Sequence, residues 1–305
     1  MSAHLLPAVS FAAVPGRRAA TLELAKEIEQ RGFSGLYCPS FGDGMSLCLA
    51  LAMSTERIEF GTSIANMYTR HVADYAQTAS FIHEMSNGRF RFGIGVSHEP
   101  ALDRIGVTAG RPLADTRAFV EELRAQKRIG DLPPIVLAAM RDRMCALSAE
   151  IGDGMVFANA ARSAFAGTLE RCPDPDHDDF FIGGMIPTCI SDDREAAAAV
   201  NRRTLTGYVA LPNYRNYWKD SGYQEEMEAI EAALAAGDRV GTVSTLNCNR
   251  NTAHNRNRVS TSRARQDKLA VCIPGYGDLP VGKAKRLNTR DRVRITRRHI
   301  RDRHR

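Results

Sequence analysis

Apolar and polar residues alternate along the stretch GRFRFGIGVSH at residues 88–98. This period of two is typical of a strand with one buried face. The apolar members are Phe90, Phe92, Ile94 and Val96, and they alternate with Arg91, Gly93, Gly95 and Ser97. A dinucleotide-binding fingerprint would need a glycine at His98, so the pattern does not favour a Rossmann site. It predicts a strand whose C-terminal end allows close approach of another group, with ordinary strand packing as the alternative.

Six further strands are predicted by short apolar runs, and helical spacing separates them. The strands are expected at residues 7–14, 34–40, 57–64, 134–139, 154–160 and 180–190. The helices are expected at residues 21–31, 45–54, 72–85, 113–127, 144–151, 193–209 and 224–236. Strict alternation of strand and helix predicts a parallel sheet covered by helices. Repeated units of this kind favour a (β/α)8 TIM barrel over a doubly wound sheet, with the chemistry at the C-terminal strand ends.

The overall composition is typical of a globular protein without a membrane span. The chain of 305 residues is 44% hydrophobic and 25% charged, and no apolar run reaches the roughly 20 residues of a transmembrane helix. The 7 cysteines include no C-x-x-C pair, so neither a disulfide framework nor a zinc site is indicated. We therefore expect a cytoplasmic protein with reduced thiols and no metal.

The net charge of +6 conceals two parts of opposite sign. Residues 242–305 hold 17 of the 41 Lys and Arg residues and 4 of the 35 Asp and Glu residues, a net +13, so residues 1–241 carry −7. The basic part contains 14 arginines and no glutamate. Such a composition buries too little apolar surface to fold. We therefore expect a barrel domain at 1–241 and a basic, disordered tail at 242–305.

The tail is expected to result from a shifted reading frame, because helical patterning runs up to residue 241 and then ends abruptly. An authentic basic arm that binds nucleic acid through its phosphates is the alternative. A shift would leave the barrel incomplete at its eighth strand, with an exposed strand edge. Translating the other two frames of the coding DNA past residue 241 tests this expectation. If neither frame restores an apolar strand and an amphipathic helix, the tail is genuine.

Four segments, in consistent order along the chain, resemble the luciferase-like monooxygenase superfamily. They are GFSGLYCPSFGD (32–43), ERIEFGTSIANMYTRH (56–71), GRFRFGIGVSHEP (88–100) and GDGMVFANA (152–160). The similarity covers roughly residues 5–240 and is greatest to the branch that uses the deazaflavin coenzyme F420. It implies a TIM barrel of the luciferase-like type whose strand ends hold the cofactor ring, with FMN as the alternative cofactor.

The resemblance also implies which residues contact the cofactor. The third strand would end in a non-proline cis peptide bond between Ser63 and Ile64 that lies behind the ring, with an ordinary trans strand end as the alternative. Residues after the following strands would supply further contacts. The implied cofactor-binding residues are Ser63, Ile64, Asn66, Gly95, Val96, Ser97, His98, Met140, Arg141 and Asn159.

His98 is the one candidate catalytic residue, and a structural surface histidine is the alternative. The Met140–Arg141 backbone and the Arg141 cation would face the cofactor phosphate at a helix N-terminus, unless Arg141 is a solvated helix residue. The second strand ends in Pro39-Ser40-Phe41, without an ionisable group. Some deazaflavin dehydrogenases have an acid/base histidine at this place, so sugar-phosphate dehydrogenase activity is not expected.

The sequence thus predicts an F420-dependent oxidoreductase that transfers hydride between the deazaflavin and an unknown organic substrate. An FMN-dependent monooxygenase is one alternative, and an inactive, incomplete member with a nucleic-acid-binding tail is another. The aromatic segment LPNYRNYWKDSGY (211–223) is expected as a lid over the substrate, as a contact in a homodimer, or as packing against the barrel bottom.

Overall fold

The structure is a computed structural model that describes residues 6–174 and 179–238. Within these ranges the strands are β1 Val9–Ser10, β2 Gly35–Cys38, β3 Glu59–Thr62, β4 Ala65–Asn66, β5 Phe90–Gly95, β6 Ile135–Ala138, β7 Gly154–Ala158 and β8 Phe181–Met185. The helices are α1 Arg18–Gln30, α2 Gly44–Ser54, α3 Val72–Met85, α4 Glu99–Asp103, α5 Pro112–Ala125, α6 Asp142–Ile151, α7 Arg162–Arg171, α8 Arg194–Val209, α9 Pro212–Asp220 and α10 Gln224–Ala235. The expected tail at 242–305 and the expected shift of reading frame lie outside the described residues.

The strands form one parallel sheet in the order β1-β2-β3-β5-β6-β7-β8, with β4 paired to β5. The predicted alternating α/β architecture is therefore confirmed. The strand predicted at 57–64 is divided, because the chain bends at Ser63 and Ile64 between β3 and β4. Only Val9–Ser10 of the strand predicted at 7–14 pairs with β2 as a strand.

The sheet curves into a half-barrel with helices on its convex side. Tyr37 of β2 stacks on Phe181 of β8 with their ring centroids 5.7 Å apart, although four strands lie between them in the sheet. Val136 and Val156 pack with this pair in a cluster on the concave face. Contact between such distant strands requires strong curvature, which is the geometry of a TIM-type barrel.

Strand β5 shows that both faces of the sheet are buried. Phe90, Phe92 and Ile94 are fully buried in the cluster that the sheet forms with its helices. Arg91 points to the concave side, where its guanidinium carbon lies 4.9 Å from the centre of the Phe181 ring. The prediction of one buried face was therefore incomplete, because a sheet closed toward a barrel covers its second face with its own side chains.

Three helices were not predicted from the sequence, namely α4, α7 and α9. Helix α4 has only 5 residues, too few to show a period. In α7, Phe165 and Leu169 are only partly buried against the core and Thr168 is the one buried residue, so the apolar face of the segment is narrow. Among the helices of the described residues, none combines the length and the apolar character that crossing a bilayer requires.

Candidate functional site

Gly93 of β5 lies against the bend between β3 and β4. A Cβ atom on Gly93 would lie 1.9 Å from the carbonyl oxygen of Thr62, so this position accepts only glycine without a backbone shift. The Thr62 hydroxyl donates a 2.6 Å hydrogen bond to the Gly93 carbonyl and holds the two strands at this separation. The next peptide bond, Ser63–Ile64, is cis, which confirms the prediction.

Gly95, at the end of β5, makes room for the side chain of Ile64. A Cβ atom on Gly95 would lie 2.9 Å from the Cβ of Ala138 and 3.1 Å from Cδ1 of Ile64. The residues Ile64, Gly93, Gly95 and Ala138 therefore form a small-residue floor at the C-terminal strand ends, which we call the strand-end cradle. Flat groups can approach such a floor closely because only one large side chain projects from it.

Two residues other than glycine adopt a left-handed backbone conformation directly beyond strand ends. Ser97 follows β5 with φ at 61°, and Asn159 follows β7 with φ at 56°. Residues other than glycine rarely adopt this backbone conformation, and those that do concentrate at functional sites. Both belong to the predicted cofactor-binding set. Between β5 and Ser97, Val96 is half-buried against the main core.

His98 precedes α4 and is half-buried rather than a surface residue. Its Nδ1 atom is buried and has no hydrogen-bond partner among the described residues. Its ring lies against Tyr214 of α9, with ring centroids 5.5 Å apart. Burial lowers the pKa of the imidazole below its ordinary value, so the neutral form prevails near neutral pH.

The burial of His98 predicts a dependence of stability on pH. Because burial lowers the pKa of His98 in the folded state, the stability that the neutral imidazole contributes is fully present above about pH 6.5, the ordinary histidine pKa. This stability is lost as the pH falls through the folded-state pKa. The variant His98→Gln should therefore lose less stability than the wild type on acidification. Urea unfolding at about pH 7.5 and about pH 5 measures both proteins. An equal loss in the two would contradict the expectation.

Asn159 has a buried side chain whose amide makes no hydrogen bond to the part of the chain that the structure describes. The residue is 6% exposed, and neither Oδ1 nor Nδ2 has a partner in the described part of the chain. Its backbone carbonyl accepts a 3.1 Å hydrogen bond from Nε1 of Trp218. The side chain lines a cavity with Asn201 and Leu205 of α8. The carboxamide of Asn159 is thus buried beside a small cavity at the end of β7.

The aromatic segment 211–223 contains α9, and this helix lies against the C-terminal strand ends. The hydroxyl of Tyr217 accepts a 3.1 Å hydrogen bond from the Ala161 amide, just beyond β7. Trp218 contacts Asn159, and Tyr214 contacts His98. The expectation of packing against the barrel bottom was therefore wrong. No local pattern indicates this location, because the hydrogen-bonded partners are more than 50 residues apart.

The other predicted cofactor residues are engaged by protein atoms. The side-chain oxygen of Asn66 accepts a 3.0 Å hydrogen bond from the Tyr68 amide and closes a local turn. Arg141 is the N-cap residue of α6, and its Nε lies 2.9 Å from the carboxylate of Asp220 in an exposed ion pair. Met140 is half-buried against the cluster formed by α8 and α9. Arg141 therefore pairs with the end of α9 while it stays exposed to solvent.

The end of β2 supplies an exposed aromatic ring and no acid or base. Phe41 is 70% exposed, and Pro39 and Ser40 carry no charge. The first acid beyond them, Asp43, caps α2 through the Ser46 amide at 3.1 Å and pairs with Arg70 at 2.8 Å. In the described ranges no group of three or more His, Cys, Asp or Glu side chains could hold a metal ion. His98 is thus a half-buried titratable residue that follows strand β5.

Comparison with known proteins identifies a matching family and a similar reductase. The family model described as luciferase-like monooxygenase matches residues 4–253. The 5,10-methylenetetrahydromethanopterin reductase of Methanolobus tindarius is 28% identical over 247 residues, which cover 70% of this chain and 74% of that protein.

Two solved structures share the fold. The coenzyme F420-dependent tetrahydromethanopterin reductase from Methanopyrus kandleri superposes with a TM-score of 0.63 at 17% identity, covering 80% of this chain and 84% of the other. An F420-dependent secondary alcohol dehydrogenase in complex with an F420-acetone adduct gives a TM-score of 0.58 at 15% identity, covering 89% and 93%.

Proposed function

Because this chain belongs to the luciferase-like monooxygenase family, we propose that it is an oxidoreductase that binds coenzyme F420 at its C-terminal strand ends. In this proposal it transfers hydride between the deazaflavin and an organic substrate. The observation that carries the proposal is the strand-end cradle, where Gly93 and Gly95 leave a floor with the single large side chain of Ile64. The reductase relative and the two F420-dependent enzymes of similar fold support the choice of cofactor.

The residues present fit a flat ring with polar edges. The cradle is apolar and small, as the face of an aromatic heterocycle requires. Beyond the strands, Nδ1 of His98 and the amide of Asn159 are buried without partners among the described residues, and a ring with donors and acceptors on its edge would satisfy such atoms. The left-handed backbone at Ser97 and Asn159 fixes the direction in which the chain leaves the two strands.

The protein's part in the reaction would be positioning and the control of protons. The deazaflavin, when bound, supplies the hydride chemistry. Ile64 would support one face of the ring, and Gly95 would leave the room that the Ile64 side chain needs. His98, kept neutral by burial, would exchange a hydrogen bond or a proton through Nδ1 with the ring edge or the substrate. The aromatic side chains of α9 would exclude water from the strand ends.

An FMN-dependent monooxygenase is the second candidate, because the description of the matching family is that of a monooxygenase. The cradle would accept either tricyclic ring, since both present a flat face. The sugar-phosphate dehydrogenase reaction is not proposed, because Pro39-Ser40-Phe41 supplies no acid or base at the end of β2. The cytoplasmic location and the homodimer stay predictions.

Cofactor titration tests the proposal directly. The purified full chain is titrated with F420 and with FMN in parallel, and binding is followed by the change in cofactor fluorescence. We expect F420 to bind at least about tenfold more tightly, a difference of about 1.4 kcal/mol in binding free energy. Binding of FMN alone would replace F420 by FMN in the proposal. Binding of neither would mean that this chain is an inactive member of the family.

A further inference from the structure

Two cysteine side chains that are not part of the strand-end cradle interact with each other. Cys145 lies in α6 and is fully buried in a cluster with Phe157 and Phe180. Cys172 follows α7, packs against the same cluster and is only half-buried. A hydrogen bond with Cys172, together with burial, raises the pKa of the Cys145 thiol far above its usual range. The pair therefore combines a hidden thiol that keeps its proton with a cysteine that solvent reaches.

The packing of α7 against α6 brings the two cysteines together. Nε of Arg171 donates a 3.0 Å hydrogen bond to the carboxylate of Asp142, so the end of α7 lies against the start of α6. Cys172 is the next residue after Arg171, and Cys145 lies about one helical turn beyond Asp142. The Cys172 thiol donates a 3.2 Å hydrogen bond to the carbonyl of Thr168, which fixes the position of its sulfur. The two thiols thus meet because the two helices meet.

A second pair of neighbouring thiols lacks access to solvent. The Sγ atoms of Cys38 and Cys48 are 3.7 Å apart, and both residues are fully buried. Oxidation of a thiol by a small oxidant requires that the oxidant reach the sulfur. We therefore expect Cys38 and Cys48 to stay reduced in the folded protein, so this pair serves as an internal control for the accessible one.

We propose that Cys145 and Cys172 form a reversible modification site, at which hydrogen peroxide converts the two thiols into a disulfide that joins α6 to α7. The Cys172 sulfur attacks one oxygen of the peroxide, the O–O bond breaks, and a sulfenic acid and one water are formed. The Cys145 thiol then attacks the sulfenic sulfur, the S–O bond breaks, and the hydroxyl leaves with the Cys145 proton as a second water. The thiols lose two electrons in total, and the peroxide gains them. The site does not depend on the proposed cofactor or reaction.

Helix α7 can supply the movement that the disulfide requires. The sulfur atoms of a disulfide are about 2 Å apart, which is closer than two thiols in contact. Thr168 is the one buried residue of α7, and the ion pair between Arg171 and Asp142 is exposed, so little holds the end of the helix in place. The same weak attachment gives the disulfide its consequence, because the covalent link would keep α7 on α6 when the other contacts loosen.

Peptide mapping by mass spectrometry tests the disulfide in the full chain. The Cys189→Ser protein is used, because the tryptic peptides 144–162 and 172–194 then each carry one member of the pair as their only cysteine. The folded protein is reduced, treated with hydrogen peroxide, alkylated and digested with trypsin. We expect the two peptides to appear joined by a disulfide.

Peptide 32–57 of the same digest contains Cys38 and Cys48 and is the control. We expect both of its thiols to be alkylated after the peroxide treatment. An internal disulfide in this peptide, formed to the same extent, would show that accessibility does not select the reactive pair. Absence of the link between the two test peptides, or oxidation of Cys172 alone to a sulfinic or sulfonic acid, would overturn the proposal.

Urea unfolding before and after oxidation measures what the disulfide does. Peroxide should raise the unfolding midpoint of the Cys189→Ser protein by roughly 0.5–1 M urea, and dithiothreitol should restore the original value. Adding Cys172→Ser, at a half-buried position, should abolish the rise. Cys145→Ser should do the same, and if this buried substitution prevents folding, Cys172→Ser decides the test. A rise that persists in Cys172→Ser, or a cross-linked protein with an unchanged midpoint, would contradict a covalent link that holds α7 on α6.

Discussion

Gly93→Ala is expected to destabilise the fold by about 3 kcal/mol or more and to weaken cofactor binding by at least about tenfold. The added methyl group would lie 1.9 Å from the Thr62 carbonyl oxygen and 3.0 Å from its carbonyl carbon. These are backbone atoms, so they can move only if the bend between β3 and β4 moves with them. Such a movement would also displace Ile64, which forms the floor of the proposed cofactor site.

Urea unfolding and F420 titration of the same preparation measure the two effects of Gly93→Ala. The matched control is Gly207→Ala in α8, where a Cβ atom meets nothing within 4 Å. Replacing an exposed helical glycine by alanine should stabilise the protein by about 0.5–1 kcal/mol. A folded Gly93→Ala variant with wild-type stability and cofactor affinity would contradict the close packing of β5 against the bend.

Gly95→Leu separates cofactor approach from strand packing at the neighbouring position. Its side chain would begin 2.9 Å from the Cβ of Ala138 and 3.1 Å from Ile64, and it would project over the cradle. We expect weaker binding of F420 with a smaller loss of stability than in Gly93→Ala, because side-chain atoms yield more easily than backbone. Unchanged affinity for F420 would mean that Gly95 serves strand packing alone.

The strands could be predicted because their signals are local, whereas the cis bond at Ser63–Ile64 was implied by the resemblance alone. Short apolar runs mark buried strands whatever the strands pack against. The resemblance depends on four sequence segments that occur in consistent order along the chain. What the period of two could not show is which face of β5 points inward. Phe90 and Phe92 pack under the helices, whereas Arg91 and the glycines face the concave side. Both faces are buried, so alternation alone does not distinguish them.

The surroundings of His98 and Asn159 could not be predicted, since they depend on where α9 packs. The Asn159–Trp218 and Ala161–Tyr217 hydrogen bonds join residues 59 and 56 positions apart. No local pattern specifies the partner of a helix at such a separation. The resemblance implied Asn159 through its place at the end of a strand, but the lack of a partner for its amide among the described residues emerges only from three-dimensional packing.

The stability of the half-barrel is expected to depend strongly on Arg89, which stands at the opposite end of β5 from the cradle. Its guanidinium donates to the carbonyls of Ala52 at 3.2 Å, Thr55 at 2.9 Å and Ile58 at 3.0 Å, and its Nε donates to Ser86 at 2.9 Å. It therefore joins the end of α2, the start of β3 and the end of α3. Arg89→Leu would remove every one of these bonds and leave several carbonyls unpaired.

We expect Arg89→Leu to lower the free energy of unfolding by about 3–5 kcal/mol, because charged hydrogen bonds are strong and their buried acceptors would lose their partner. Arg89→Lys should lose about 2 kcal/mol, since an ammonium group cannot reach all the carbonyls that the planar guanidinium serves. The control Arg31→Leu removes an exposed pair with Glu27 and should change stability by no more than about 0.5 kcal/mol. Urea unfolding of the three variants measures these differences. A loss in Arg89→Leu as small as that in Arg31→Leu would show that the hydrogen bonds of Arg89 do not hold α2, α3 and β3 together.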